Sequence, residues 1–139
     1  MKPRSVLVLM MLAASLLLFS SCVTSHDYTA QFSCDDFIEE NYRSSDFEVE
    51  VGDKILVELC SNMTAGFSWA ADIDNESVLA EEDHDYIEPE DDEVLGAPGT
   101  ETWVFEAVGA GTAEVIMEYS QAGGAVETQW TYTITVTVE

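Results

Sequence analysis

Near its C-terminus the chain shows a clean alternation: Trp130, Tyr132, Ile134, Val136 and Val138 interleave with Thr131, Thr133, Thr135 and Thr137. A period of two held over that length marks a strand with one buried face and one solvated face. The same rhythm recurs upstream. Phe47, Val49 and Val51 alternate with Glu48 and Glu50, Gly52-Asp53 marks a turn, and Ile55, Val57 and Leu59 alternate with Leu56 and Glu58. Trp103 and Phe105 alternate with Val104 and Glu106. Past a second turn signal at Val108 to Thr112, Val115, Met117 and Tyr119 alternate with Glu114, Ile116 and Glu118. Phe67 to Ile73 and the stretch between Val78 and Ile87 complete the set. Short strands separated by turn signals predict an all-β fold, an immunoglobulin-like β-sandwich of about seven to eight antiparallel strands. The antibody-type Cys–Trp–Cys core pattern and internal repeats are absent.

The alternation begins at Asp46, so residues 46–139 are read as the folded domain and 22–45 as a lead-in. Within the lead-in, Ser33 is placed to cap a short helix through Asp35, Asp36 and Glu39, with Phe37 and Ile38 partly buried. Residues 1–21 have a different character. Lys2 and Arg4 precede the apolar run Val6 to Phe19, which is short for a membrane span, and Ser20-Ser21-Cys22 follows. This is the form of a signal peptide. Small residues directly before a cysteine point to lipoprotein processing, with Cys22 as the lipidated first residue. Phe19 stands where that motif usually has Leu, and ordinary cleavage to a free secreted protein is the alternative. Either route places the chain outside the cytoplasm, secreted or held at the cell surface by a lipid. Of the three cysteines, Cys34 and Cys60 then remain as an even pair in an oxidising compartment. A disulfide between them would contribute ~3 kcal/mol by loop closure; two buried free thiols are the alternative.

Charge narrows the partners. The chain carries 28 acidic and 4 basic residues, a net of −24. Residues 1–21 hold no acid and take Lys2 and Arg4 with them, so 28 acids face Arg43 and Lys54 in the mature chain, a net of −26. Such a chain repels nucleic acid and anionic lipid head groups. High ionic strength would relieve its self-repulsion, because the Debye length falls from ~10 Å at 0.1 M to ~3 Å at 1 M salt. The composition is consistent with saline surroundings.

Catalysis by this chain finds little support. The only histidines are His26, in the lead-in, and His84, in an acidic run, and neither is placed to activate Cys60. No Gly-x-Ser-x-Gly elbow occurs. Glu81 to Glu93 holds nine acids (Glu81, Glu82, Asp83, Asp85, Glu88, Glu90, Asp91, Asp92 and Glu93), whose oxygens suit Ca²⁺, yet the spacing matches no calcium loop. The run reads as a solvated loop, and no metal or cofactor is expected. The sequons Asn62-Met63-Thr64 and Asn75-Glu76-Ser77 are taken as chance matches.

Two loops carry the sharper signal. Asn62-Met63-Thr64-Ala65-Gly66-Phe67-Ser68-Trp69 and Gly96-Ala97-Pro98-Gly99-Thr100-Glu101-Thr102-Trp103 each run from a glycine-containing loop into a strand that opens with a Trp. Together they resemble the chagasin family, small secreted inhibitors of papain-like cysteine proteases. The likeness extends from about Phe47 to Val138. The family's first loop reads Asn-Pro-Thr-Thr-Gly-(Phe/Tyr)-x-Trp; Asn62, Thr64, Gly66, Phe67 and Trp69 match, while Met63 and Ala65 depart. The resemblance implies a reversible inhibitor that uses Asn62 to Phe67 to occlude a protease cleft. Gly96, Ala97, Pro98, Gly99 and Thr100, akin to the family's Gly-x-x-Gly loop, would brace one flank. Thr64 and Gly66 are expected to touch the target, and Trp69 to pack in the core. The family's third loop usually carries Arg-Pro-(Trp/Phe) after a Tyr. Here Tyr119 continues as Ser120, Gln121, Ala122, Gly123 and Gly124, without that anchor. Anchors of this type carry ~2 kcal/mol or more, so inhibition weaker or narrower than the family norm is expected. The chain is thus read as a monomeric, non-enzymatic inhibitor whose partner is a papain-family cysteine protease. Its membrane contact would be confined to a lipid at Cys22. The alternative is a surface lipoprotein that kept the scaffold, lost inhibition, and binds another partner or calcium.

Overall fold

The structure, a computed structural model, describes residues 27–90, 94–123 and 127–139; Cys22 and the signal segment lie outside them. The chain runs β1 (Tyr28–Phe32), α1 (Cys34–Glu39), β2 (Tyr42–Val49), β3 (Lys54–Ser61), β4 (Phe67–Ile73), β5 (Leu79–Ile87), β6 (Gly99–Ala107), β7 (Gly111–Gln121) and β8 (Trp130–Val138). A 3-10 turn at Met63–Ala65 lies between β3 and β4. Two four-stranded sheets result, in the orders β1-β3-β6-β5 and β2-β8-β7-β4. The sandwich expected from the alternation is present.

One correction concerns strand direction. Most pairings are antiparallel, but β1 pairs β3 in parallel and β2 pairs β8 in parallel. Parity explains this. Every connection reverses the chain, so all odd strands run one way and all even strands the other. Pairing two odd or two even strands makes a parallel ladder. Parity also sorts the connections. Those after β1, β3, β5 and β7 gather at one end of the sandwich. The other three connections lie at the opposite end, together with Asp27, bonded to the carbonyl of Lys54, and Glu139, bonded to that of Val49.

The core forms where the predicted alternations face each other. Ile55, Val57 and Leu59 of β3, Trp103 and Phe105 of β6, Val115, Met117 and Tyr119 of β7, and Tyr132, Ile134 and Val136 of β8 are all buried. Burial of this kind contributes ~1.5–3 kcal/mol per large apolar side chain. The β8 threonines face outward, as the pattern requires.

The lead-in is more structured than its sequence pattern. β1 adds an edge strand to the first sheet, and β2 begins at Tyr42 and ends at Val49, leaving Val51 exposed in the turn. Ser33 caps α1 as expected: its hydroxyl accepts from the Asp36 N–H (3.3 Å), and the Asp36 carboxylate accepts from the Ser33 N–H (2.7 Å), a reciprocal capping box. Hydrogen bonds donated to the Asp36 carboxylate by the Ser33 hydroxyl (2.6 Å) and by the Ser33 N–H hold it below its usual 3.8. Arg43 closes the other end, donating to the Asp36 carbonyl at 2.6 Å. The expectation for the two apolar residues of α1 needs correction. Phe37 is 1% exposed, stacked on Trp130 and tilted against Trp69, whereas Ile38 is 71% exposed. Cys34 and Cys60 are joined by a disulfide, with their Cα atoms 5.1 Å apart, which ties α1 to the end of β3.

The acidic run is only partly a loop. Glu81, Glu82, Asp83 and Asp85 belong to β5, an edge strand with a bulge between Glu81 and Asp83. An edge strand has one unpaired side in water, so it tolerates charge that a central strand would not. Among the described residues no three acidic, histidine or cysteine side chains converge as a metal would require; Asp91, Asp92 and Glu93 lie outside the described residues.

Candidate functional site

The first loop, 62–66, is organised by Asn62. Its carboxamide oxygen accepts from the Thr64 hydroxyl (2.8 Å) and the Ala65 N–H (3.3 Å), and its backbone carbonyl accepts from the N–H groups of Ala65 (3.1 Å) and Phe67 (3.2 Å). Asn62 therefore does the work of a helix cap for the 3-10 turn. The turn ends at Gly66, whose φ of 84° lies in the left-handed region that favours glycine. Met63, Thr64, Ala65 and Gly66 are all exposed, so the loop stands proud of the sandwich end.

Both neighbouring loops hold it. On one side the Asn62 carboxamide donates to the Gly96 carbonyl (3.2 Å). On the other, the Gln121 carboxamide donates to the Ala65 carbonyl (3.1 Å), and the Ala122 N–H donates to the Gly66 carbonyl (3.0 Å). From beneath, the Tyr119 hydroxyl accepts from the Asn62 N–H (2.8 Å). Burial is the main force pushing the Tyr119 phenol above its ordinary 10, opposed by its hydrogen bonds with the Asn62 backbone and the Ser61 side chain. The structure thus brings Asn62, Met63, Thr64, Ala65 and Gly66 together with Gly96 on one flank and Gln121 and Ala122 on the other. Ser120 is the last half-buried residue of β7 before them. Phe67 is partly buried and stacks on Tyr119 at 5.4 Å, so it supports the loop as much as it presents it. Trp69 is in the core, its indole N–H bonded to the Cys60 carbonyl at 2.9 Å.

The second loop turns at Gly96, φ 82°, and enters β6 at Gly99. Gly99 is glycine for a steric reason: a Cβ there would collide with the Ile87 carbonyl and the Tyr86 ring. Thr100 pairs with Cys60, and Ala97 and Pro98 form the arc between the two glycines. Between the first and second loops lies a hollow of about 270 Å³ lined by Thr64, Pro89, Val94, Leu95 and Gly96, among others. Leu95 is 98% exposed, and Val94, Ile87 and Met63 are also exposed. Val94 and Leu95 thus display apolar surface at this hollow.

One group was not expected from the sequence. Glu101 of β6 is 1% exposed. Its carboxylate accepts from the Ser61 hydroxyl (2.5 Å) and the Trp69 N–H (3.1 Å) through Oε1, and Oε2 lies 3.1 Å from His84 Nε2. His84 stacks on Trp103 with ring centroids 4.2 Å apart. The signal was available: Glu101 is in phase with Trp103 and Phe105, which places a charge on the inward face of a strand.

The fold and the loop end define a known class of protein. Residues 48–136 match the sequence model of the chagasin family of peptidase inhibitors, I42. The chain belongs to that family; it is a protease inhibitor by class, not an enzyme. Solved structures agree in fold. The cysteine protease inhibitor EhICP2 from Entamoeba histolytica is 15% identical over 81% of this chain and 96% of its own, with a TM-score of 0.60. Amebosin is 18% identical over 83% and 99%, with a TM-score of 0.57. PbICP-C, solved in complex with falcipain-2, is 13% identical over 81% and 99%, with a TM-score of 0.60. No curated protein sequence matches the chain.

Proposed function

We propose that this chain reversibly inhibits papain-like cysteine proteases by seating its 62–66 loop in the active-site cleft. Gly96 to Thr100 would brace one wall of the cleft and Ser120 to Ala122 the other. One observation carries the reading: the exposed first loop is hydrogen-bonded to both neighbouring loops, through Gly96 on one side and Gln121 on the other. A loop fixed before it binds loses little entropy on binding, and it resists the distortion that peptide cleavage demands. The complex of PbICP-C with falcipain-2 supports a protease partner for the fold. We also propose that the mature chain is anchored at the cell surface by a lipid on Cys22.

The test is titration of papain with the mature chain and with Gly66→Glu, read with a fluorogenic substrate. Gly66 has a positive φ and a Cβ there would sit 3.8 Å from the Gln121 side chain, so a glutamate both strains and fills the loop. Inhibition by the wild-type chain that is lost in the variant is expected. Wild-type protein that is folded yet inert at micromolar concentration against papain and a panel of related proteases would refute the proposal.

A further inference from the structure

We propose that Glu101 is a positioning residue for inhibition: its buried carboxylate clamps the roots of the first and second loops, so that the first loop fills a protease cleft without being cut. The inference rests on the inhibitory reading above. Glu101 is the one charged residue that is fully buried among the described residues. A buried carboxylate is costly unless hydrogen-bonded, and burying one in a chain with net charge −24 raises the cost further. Its partners explain its presence. Ser61 immediately precedes the first loop, Trp69 lies two residues past the Phe67 that ends it, and Glu101 itself lies two residues past Gly99 of the second loop.

The clamp also joins the two layers. β4 is an edge strand of its sheet, and the Trp69 N–H is bonded to a side chain of the other sheet. The indole N–H of Trp69 makes a second crossing to the Cys60 carbonyl. Both ends of the 62–66 segment are therefore fixed to β6 and β3 independently of the loop's own peptide bonds. Were a protease to hydrolyse one of those bonds, the new carboxylate and amine would stay in register. Re-formation of the bond would then compete with release.

The experiment compares mature wild-type, Glu101→Gln and Glu101→Leu chains. Glutamine keeps Oε1 as an acceptor for Ser61 and Trp69; leucine fills the space and leaves both donors unpaired. Three readouts are taken: inhibition constant against papain at 25 °C, thermal midpoint, and intact mass after prolonged incubation with equimolar papain. Glu101→Gln is expected within about threefold of wild type in inhibition and to remain intact. Glu101→Leu, at a temperature where circular dichroism shows it folded, is expected to inhibit at least ~10-fold more weakly, about 1.4 kcal/mol, and to be cut between Ser61 and Phe67. A Glu101→Leu chain with a lowered midpoint but unchanged inhibition and unchanged mass would make Glu101 merely structural and overturn the inference. Glu101→Gln failing as badly as leucine would overturn the acceptor role. If Glu101→Leu does not fold, Ser61→Ala takes its place: roughly threefold weaker inhibition with slow nicking supports the clamp, and no change in either overturns it. A wild-type chain that inhibits no papain-like protease removes the parent reading instead, and the inference with it.

Discussion

Removal of the Asn62 side chain is the sharpest probe of how the first loop works. In Asn62→Ala three hydrogen bonds disappear: those accepted from Thr64 and Ala65 and the one donated to Gly96. All three are at an exposed site, where each is worth about 0.5–1 kcal/mol. Their sum, roughly 2 kcal/mol, is charged mainly to the ordering of the loop on binding rather than to global stability. The backbone bonds from Ala65 and Phe67 to the Asn62 carbonyl survive, as does the Tyr119 contact. The expected result is an inhibition constant about 30-fold higher with the thermal midpoint lowered by only a few degrees. Asn62→Asp separates the contributions. It keeps the acceptor for Thr64 and Ala65, loses the donor to Gly96, and brings a carboxylate to that carbonyl. An intermediate loss, near tenfold, is expected. Progress curves against papain measure both. An Asn62→Ala inhibition constant within twofold of wild type would show that the loop owes neither its shape nor its grip to this side chain, and the preorganisation argument would fail.

Three further outcomes follow from the same structure. Replacing both Cys34 and Cys60 with serine removes a cross-link spanning 26 residues, worth about 3 kcal/mol; for a domain of roughly 110 residues that lowers the thermal midpoint by about 13 °C, and a fall under ~4 °C by circular dichroism would contradict the estimate. Burial pushes the Tyr132 phenol up to about 12 from an ordinary 10. Between those values the folded chain holds a proton that the unfolded chain has lost. Stability should therefore fall as pH rises from about 10 to about 12, by up to roughly 3 kcal/mol, and Tyr132→Phe should flatten that slope in urea unfolding at pH 9 and 11; parallel slopes would refute it. Finally, cells expressing the full chain should incorporate labelled fatty acid into it, and Cys22→Ser should abolish the label and release the protein; label retained in the variant would place any anchor elsewhere.

The strands with one buried face were legible because alternation is a direct imprint of the pleat. β8 could be drawn residue by residue, and the middles of β7 and β3 nearly so. β1 and the first half of β2 could not. Tyr28, Ala30 and Phe32 do alternate, but over too short a stretch to stand out, and Tyr42 to Ser45 contain no aliphatic residue. Both strands exist because their backbones complete the parallel ladders with β3 and β8, a tertiary cause with no local signature. β5 was obscured by its charges, which suit a sheet edge. In the candidate site, Asn62, Gly66 and the Gly96 and Gly99 pair were visible as types of residue with few other uses. The bracing by Gln121 and Tyr119 was not, since a polar residue at a strand end carries no mark of its partner. Glu101 was hidden by the same ambiguity: in an acid-rich sequence, one more glutamate draws no notice until its phase is compared with that of Trp103.

Parity has a consequence for how the protein would stand on a cell. Asp27 and Glu139 lie at the end of the sandwich opposite the loops. β7, with 11 residues, spans ~36 Å at ~3.3 Å per residue, so the loops lie about that far from the point where the chain enters the domain. With a lipid on Cys22, the tether to Asp27 could reach at most ~17 Å. The domain would then sit close over the bilayer with its loop end turned outward. Such an orientation suits the interception of proteases arriving from the medium.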